Sequence, residues 1–509
     1  MTATSELLTA LADNPALPSE LIDRLTALAD QDTADALAGR TDLTRAQVRA
    51  LLAARPSTDV CLAYAGTLAA DDLDPDALPD AAVALLDLGA GRPEWADRLA
   101  ADPDPDRRER LADCSDLPAA AAAVLAADPE PQVAAALAAR TTHRELLTRL
   151  AAHPYQDVRA ALAGNPAAPP DVLAALLDGE RLPAAERCTV CEREAVPFEH
   201  DPSCPRTDCA LPPGAACDGG HQSVTEKLRL QAVENPATPA DAAARHADSP
   251  SALLRAVLAE RADLPAATAR RLAADPIPMV RAHLAANPAA GADLLRRLAD
   301  DGYDEVRRAA AHNPAVPLDV LAAVATTTRL GPGAAPAAAL AGPDELRGLA
   351  THRHPAVRRL AAQRTDLPDT LRDALAADPD AKVAAAVAAH PGLSDAQLRA
   401  LADRFGAQVA AGIAANPDAR PDLLTELVHR RPAARKALRA VARRPDAPAD
   451  ALRACLDDPK AGPLAAAHPA LPPDLVVTLL HGPDQALAEA AASNPALPPA
   501  AMAALLPPP

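Results

Sequence analysis

Asn-Pro pairs and their equivalents recur along this chain at a nearly fixed interval. Asn235, Arg261, Asn287 and Asn313 stand 26 residues apart, and so do Arg364, His390 and Asn416. Cys114 and Arg140 are one interval apart, and Asn165 follows 25 residues later. Arg444, His468 and Asn494 close the series with less regular steps. A fixed period of about 20–50 residues is the signature of stacked repeats, each too small to bury its own apolar face. Roughly nineteen units fit along the chain, counting degenerate ones near residues 90 and 339.

Each unit reads as two short helices. In the unit opening at Asn287, Leu294, Leu295 and Leu298 share one helical face, and Val306, Ala309 and Ala310 share a second. The unit opening at Asn313 carries Pro317 just before LDVLAAVA, where a first helical turn tolerates proline. Asp-Pro pairs such as Asp275-Pro276 end the first helix and are expected to cap the second. An Asn before Pro can bond the turn backbone through its side chain. Arg, His or Cys at that anchor is expected to serve less well or to sit partly exposed. The stretch 330–343 (LGPGAAPAAALAGP) reads as a joint, and the tail Leu505–Pro508 as a solvated end.

Composition fits thin helix layers. Hydrophobic residues make up 49% of the chain but aromatics only 1%, so the apolar mass is Ala, Leu and Val. A net charge of −19 argues against a phosphate backbone or an anionic membrane as the main partner. The start MTATSELLTALADNPALP has neither a basic n-region nor a long apolar stretch, and no segment is apolar enough to span a bilayer. A cytoplasmic, reducing setting is therefore expected, where clustered cysteines bind metal more often than they pair.

The unit V-R-x-x-x-A-x-N-P-x-x-P-x-x-x-L-x-x-L-A-x-D-P resembles the leucine-rich repeat variant family. Val280-Arg281 with Asn287-Pro288, and Val306-Arg307 with Asn313-Pro314, carry the resemblance, which spans nearly all of the chain outside one insert. It implies a right-handed superhelix of alternating α- and 3₁₀-helices. HEAT-like pairs of α-helices are the near alternative. The expected fold is thus an all-α solenoid of ~26-residue repeats of paired helices.

The insert breaks the period. Between Asn165 and Asn235 lie 70 residues where one repeat uses 26, an excess of 44. The helical patterns DVLAALLDG and VTEKLRLQAVENP flank it, so residues 180–223 are expected to form a separate module between helical arrays 1–179 and 224–509. This module holds five of the eight cysteines, Cys188, Cys191, Cys204, Cys209 and Cys217, with His200 and His221. It has almost no core, and a segment that small needs a metal or disulfides to fold. The C-x2-C pair Cys188/Cys191 can chelate one ion, any two of Cys204, Cys209 and Cys217 can complete a tetrahedral set, and His200 or His221 can substitute. Zn²⁺ and a [4Fe-4S] cluster both suit such a set. Some proteins of the resembled family carry a [4Fe-4S] domain beside their repeats, and CALPPGAAC (Cys209 to Cys217) is similar to its second ligand pair. That makes Cys188, Cys191, Cys209 and Cys217 the expected ligands, with Cys204 first in reserve. The insert departs from the family in lying inside the array and in its extra cysteine.

Elsewhere the residues read as structural. Cys114, His390 and His468 are anchors, while Cys61 and Cys455 read as small core residues. Trp95 and Tyr303 read as packing residues. His429–Pro445 is locally basic, with seven Lys/Arg, but reads as an exposed repeat face. No nucleophile elbow, phosphate loop, dinucleotide fingerprint or zincin motif occurs. The sequence therefore points to a non-enzymatic scaffold that takes a protein partner in its groove and carries a Cys-ligated metal module. An iron–sulfur redox or iron sensor is the alternative, and a nucleic-acid-binding HEAT-like protein a weaker one.

Overall fold

A computed structural model describes residues 5–179, 182–192, 221–331, 333, 335–430 and 434–507. The chain is an all-helical solenoid: the described elements are short α-helices in pairs, with 3₁₀ turns at Pro56–Thr58, Ala70–Asp72 and Arg245–Asp248. The two helices of a repeat are therefore generally both α, as in HEAT-like pairs. The α/3₁₀ alternation that the family resemblance implies is not what forms. Two compact units result, one of Met1–Ala69 with Gly342–Pro509 and one of Ala70–Ala341.

The repeat opening at Asn287 shows how the sequence builds a unit. Its helix Ala292–Ala299 buries Leu295 and Leu298, and its helix Asp304–His312 buries Val306, Ala310 and Ala311. In the next repeat Pro317 precedes the helix Leu318–Thr327 as its cap, and its carbonyl accepts the Leu321 N–H at 2.9 Å. Small residues dominate the buried faces because neighbouring helices approach closely, and this explains how a chain almost without aromatics builds a continuous core.

Two polar ladders run through the stack. In the first, the anchor asparagines tie their repeats to the ones before. The Asn313 amide donates to the Ala285 and Asn287 carbonyls at 2.8 and 2.7 Å, while its Oδ1 accepts the Ala315 N–H at 2.8 Å. Asn235, Asn287, Asn416 and Asn494 repeat the pattern. The anchors Arg40, Arg261 and Arg444 do the same work: Arg261 Nη1 donates to the Val233 and Asn235 carbonyls at 2.7 and 2.9 Å. Its charge is met by Asp263 two residues on, as Arg40 is by Asp42 and Arg444 by Asp446. His468 accepts the Ala470 N–H and bonds the Arg444 carbonyl at 2.7 Å. The expectation that Arg and His anchors serve poorly or lie partly exposed is thus corrected for these residues. Arg261 and His468 are buried because a guanidinium or an imidazole can span the same gap. Arg140, in contrast, stays exposed, and its side chain bonds only Asp113 among the described residues.

The second ladder uses the Asp-Pro loop. Arg281 forms a bidentate pair with Asp301 of the next repeat at 2.7 and 3.0 Å and donates to the Asp275 carbonyl of its own at 2.6 Å. Arg108–Asp128, Arg255–Asp275 and Arg358–Asp378 are equivalent, their side chains largely removed from water. Asp275 Oδ1 also accepts the Ile277 N–H at 2.9 Å. The aspartate therefore does not cap the second helix, whose cap is Ile277 with no side-chain bond; it clamps the loop and pairs across repeats.

Within the first unit the ladder continues across the chain ends. The Asn14 amide donates to the Ala492 and Asn494 carbonyls, both at 2.8 Å, and Arg24 Nη2 to the Pro507 carbonyl at 2.7 Å. Helix Ser5–Ala12 packs on helix Gln485–Ala492. Leu506 is buried, so up to that residue the tail is a packed edge and not a solvated end, the N-terminal repeat supplying its neighbour; Pro508 lies outside the described residues.

Candidate metal centre

The insert leaves the array after the helix Pro170–Asp178, which ends on Gly179 in the left-handed region (φ 68°), and re-enters at the helix Gln222–Glu234. Its first described segment is laid against the start of the helix Gln156–Ala163. The Gln156 N–H donates to the Arg187 carbonyl and the Glu186 N–H to the Pro154 carbonyl, both at 2.9 Å, forming an isolated parallel bridge between Tyr155 and Arg187. Thr189 is held by Asp157 through its N–H at 2.9 Å and its hydroxyl at 2.5 Å. Tyr155 donates its hydroxyl to Glu192 at 3.2 Å, and the Arg187 guanidinium lies 4.5 Å above the tyrosine ring. Cys188 lies between these pinned residues and is fully buried.

This anchoring aims the ligand atoms. The Cys191 N–H donates to Cys188 Sγ at 3.2 Å. Cys191 Sγ lies 3.4 Å from His221 Nδ1. One ligand atom from each of Cys188, Cys191 and His221 falls within 4.8 Å of the others. His221 has φ 55°, a region costly for a residue with a Cβ, and it caps the helix Gln222–Glu234, its carbonyl accepting the Thr225 N–H at 2.9 Å. Gln156 bonds Thr225 at 3.2 Å, so the two helices that carry the site are neighbours in the stack. Two sulfurs and an imidazole at such separations are a soft donor set suited to a tetrahedral ion, so the residues present fit a metal.

Of the sequence candidates, Cys188 and Cys191 are brought together, and His221, held in reserve, joins them. Cys204, Cys209, Cys217 and His200 lie outside the described residues. Cys114 and Cys455 are buried anchor or core residues, burial pushing each thiol up to about 12. Cys61, expected in the core, is exposed instead: it sits on the outer side of the helix Asp59–Tyr64, which buries Asp59, Leu62 and Ala63. Trp95 is buried, whereas Tyr303 is 58% exposed beneath the Arg281 guanidinium at 5.6 Å, so it does not pack in a core. The basic stretch is partly used up: Arg444 is a buried anchor and Arg430 pairs with Asp403 and Glu426.

Sequence reasoning missed the residues that hold the insert: Tyr155, Asp157 and above all Arg159. Arg159 occupies the ladder position whose partner Asp stands 20 residues on in other repeats, but Gly179 stands there. It donates instead to the His153 carbonyl at 2.6 Å and to the insert's Pro183 carbonyl at 2.7 Å. Its Nη2 is buried with no partner among the described residues, and burial pushes its pKa down. That missing aspartate was the available signal.

No known family matches the chain, and curated proteins give no match. Among solved structures, a leucine-rich repeat variant with a novel repetitive structural motif is 20% identical over 56% of this chain and 84% of its own, at a TM-score of 0.28. An engineered protein is 16% identical over 96% and 98%, at 0.15. The Pds5–Scc1 complex is 13% identical over 90% and 68%, at 0.21. Superpositions this loose carry no argument, and the fold stands on the chain's own geometry. Among the described residues no helix is long and apolar enough to cross a membrane.

Proposed function

We propose that this chain is a non-enzymatic helical-repeat scaffold for protein–protein interaction, with residues 180–223 a metal-stabilised module set into the array. The convergence of Cys188, Cys191 and His221 on one point, each anchored to the start of a neighbouring helix, carries the metal half of this reading. The mixed sulfur and nitrogen set favours Zn²⁺, with the fourth ligand drawn from Cys204, Cys209 or Cys217. A reducing compartment such as the cytoplasm keeps these thiols available. The scaffold half rests on the paired-helix stack, whose long side faces suit macromolecular partners. Binding energy for a structural zinc, about 10–16 kcal/mol, is ample to order a 44-residue segment with almost no core.

The test is metal analysis of the full chain purified without oxygen, beside Cys188→Ser. About one zinc per chain, lost together with hydrogen-exchange protection near Gln156, supports the proposal. About four irons and a brown colour would transfer the site to a [4Fe-4S] cluster and the function to redox or iron sensing. No bound metal would overturn the module's role.

A further inference from the structure

One stretch of the second unit departs from the pattern of the two repeats that follow it. Eight residues after the anchor, most repeats place a buried apolar side chain, although Thr148 and Arg372 stand there after Arg140 and Arg364. Leu295 and Leu321 fill this position in two successive repeats and are fully buried. Ala122 and Ala243 also stand there and are fully buried, so their neighbours have closed over them. Ala269 is not buried. Leu264 beside it stays half-exposed, while Thr238, Ala290 and Val316, its equivalents in flanking repeats, are covered. Between the helices Ala266–Leu272 and Ala292–Ala299 a cleft of about 590 Å³ remains, floored by Leu284 and walled by Leu264, Ala269 and Leu294. Gly291, standing where other repeats have proline, leaves its mouth open: a Cβ there would meet nothing within 4 Å.

Positive charge stands at the mouth. Arg270 and Arg297 flank it, both exposed, and neither makes a side-chain hydrogen bond or ion pair among the described residues. Their immediate neighbours are both engaged: Arg271 pairs with Asp248, and Arg296 with Asp319. Asp293 also lies at the mouth, and its field acts on Arg296. In a chain of net charge −19, two unpaired guanidinium groups beside an apolar cleft form a spot where an anionic segment meets attraction. The volume lies in the range of about 300–1,000 Å³ that encloses a small ligand or one or two large side chains.

We propose that this cleft docks an acidic peptide segment of a partner protein, one bulky apolar side chain entering between the helices and flanking carboxylates pairing with Arg270 and Arg297. The proposal rests on the scaffold reading and names the partner's chemistry. A planar guanidinium favours carboxylates through paired N–H donors, and an apolar anchor in a desolvated pocket supplies most of the affinity in such contacts.

The experiment selects a random-peptide library on the full-length protein and measures the selected peptides by fluorescence anisotropy. The expected peptides carry Leu, Ile or Phe beside Asp or Glu, and added salt weakens them. Two variants locate the contact. Ala269→Leu supplies the side chain that the next two repeats carry there, so it fills the cleft, should melt no lower than the parent, and should weaken binding at least about tenfold, while Arg270→Glu with Arg297→Glu should do the same through charge. Peptides that lack acidic residues, or that bind Ala269→Leu as tightly as the parent, overturn the cleft proposal while leaving a scaffold that binds elsewhere. A selection that enriches nothing removes both.

Discussion

Replacing Asn313 by Asp changes two atoms' chemistry and almost no volume. The amide now donates to the Ala285 and Asn287 carbonyls at 2.8 and 2.7 Å, and the site is 1% exposed. Asn313→Asp keeps the acceptor that the Ala315 N–H uses, so the turn survives. It removes both donors and sets a carboxylate against two carbonyl oxygens. Each buried carbonyl stripped of its partner costs about 1–3 kcal/mol, so the expected loss is about 2–6 kcal/mol at neutral pH. The new carboxyl should have a pKa above the usual carboxylate range, because its charged form faces only acceptors. The penalty is then full above that folded pKa. It shrinks as pH falls through it, since a protonated acid regains one donor. A long array need not unfold in one step, so hydrogen exchange in the helices Pro278–Ala286 and Asp304–His312 is the proper readout, with guanidinium melts beside it. A loss under about 0.5 kcal/mol, within the scatter of ordinary surface changes, would refute the anchor ladder as a source of stability.

The Arg281 guanidinium holds the Asp301 carboxyl below the usual carboxylate range, so this pair stabilises the fold above the unfolded value near 3.9 and loses that contribution as pH falls through the folded value. Arg281→Met should cost about 1–3 kcal/mol at pH 7 and flatten the acid limb of a pH–stability curve. Burial lowers the pKa of His390 and His246, which therefore stay neutral in the fold; stability should decline as pH falls below about 6.5, and His390→Asn should reduce that slope. Asn14→Asp should free the helices Ser5–Ala12 and Gln485–Ala492 to exchange while leaving Ala70–Ala341 protected. A permutant with the original ends joined by a short linker and new ends at Ala69/Ala70 should fold with that terminal contact intact, and its failure to fold would show that the contact is not a true repeat junction.

The period and the paired helices were legible because each rests on local rules: spacing of Leu and Ala, and prolines at helix starts. The packed tail was not legible, because Asn14 looks like any other anchor until its acceptors, Ala492 and Asn494, are seen at the other end of the chain. Nor was the competence of Arg anchors, although the signal was there in Arg40-Thr-Asp42, Arg261-Ala-Asp263 and Arg364-Thr-Asp366, where each guanidinium brings its own counter-charge. At the insert, cysteine spacing paired Cys188 with Cys191, and only the fold shows His221 beside them, 30 residues from Cys191. Tyr155 and Asp157 hold the insert through backbone pairing and a threonine, which leave no pattern in sequence.

The most direct test of the account is X-ray absorption at the metal edge of the anaerobically purified chain, with stoichiometry measured on the same sample. The account predicts about one zinc per chain in a tetrahedral shell of sulfur near 2.3 Å and nitrogen near 2.0 Å, the nitrogen contribution vanishing in His221→Ala. An all-sulfur shell unchanged by His221→Ala, an iron–sulfur signal, or no metal at all would contradict it.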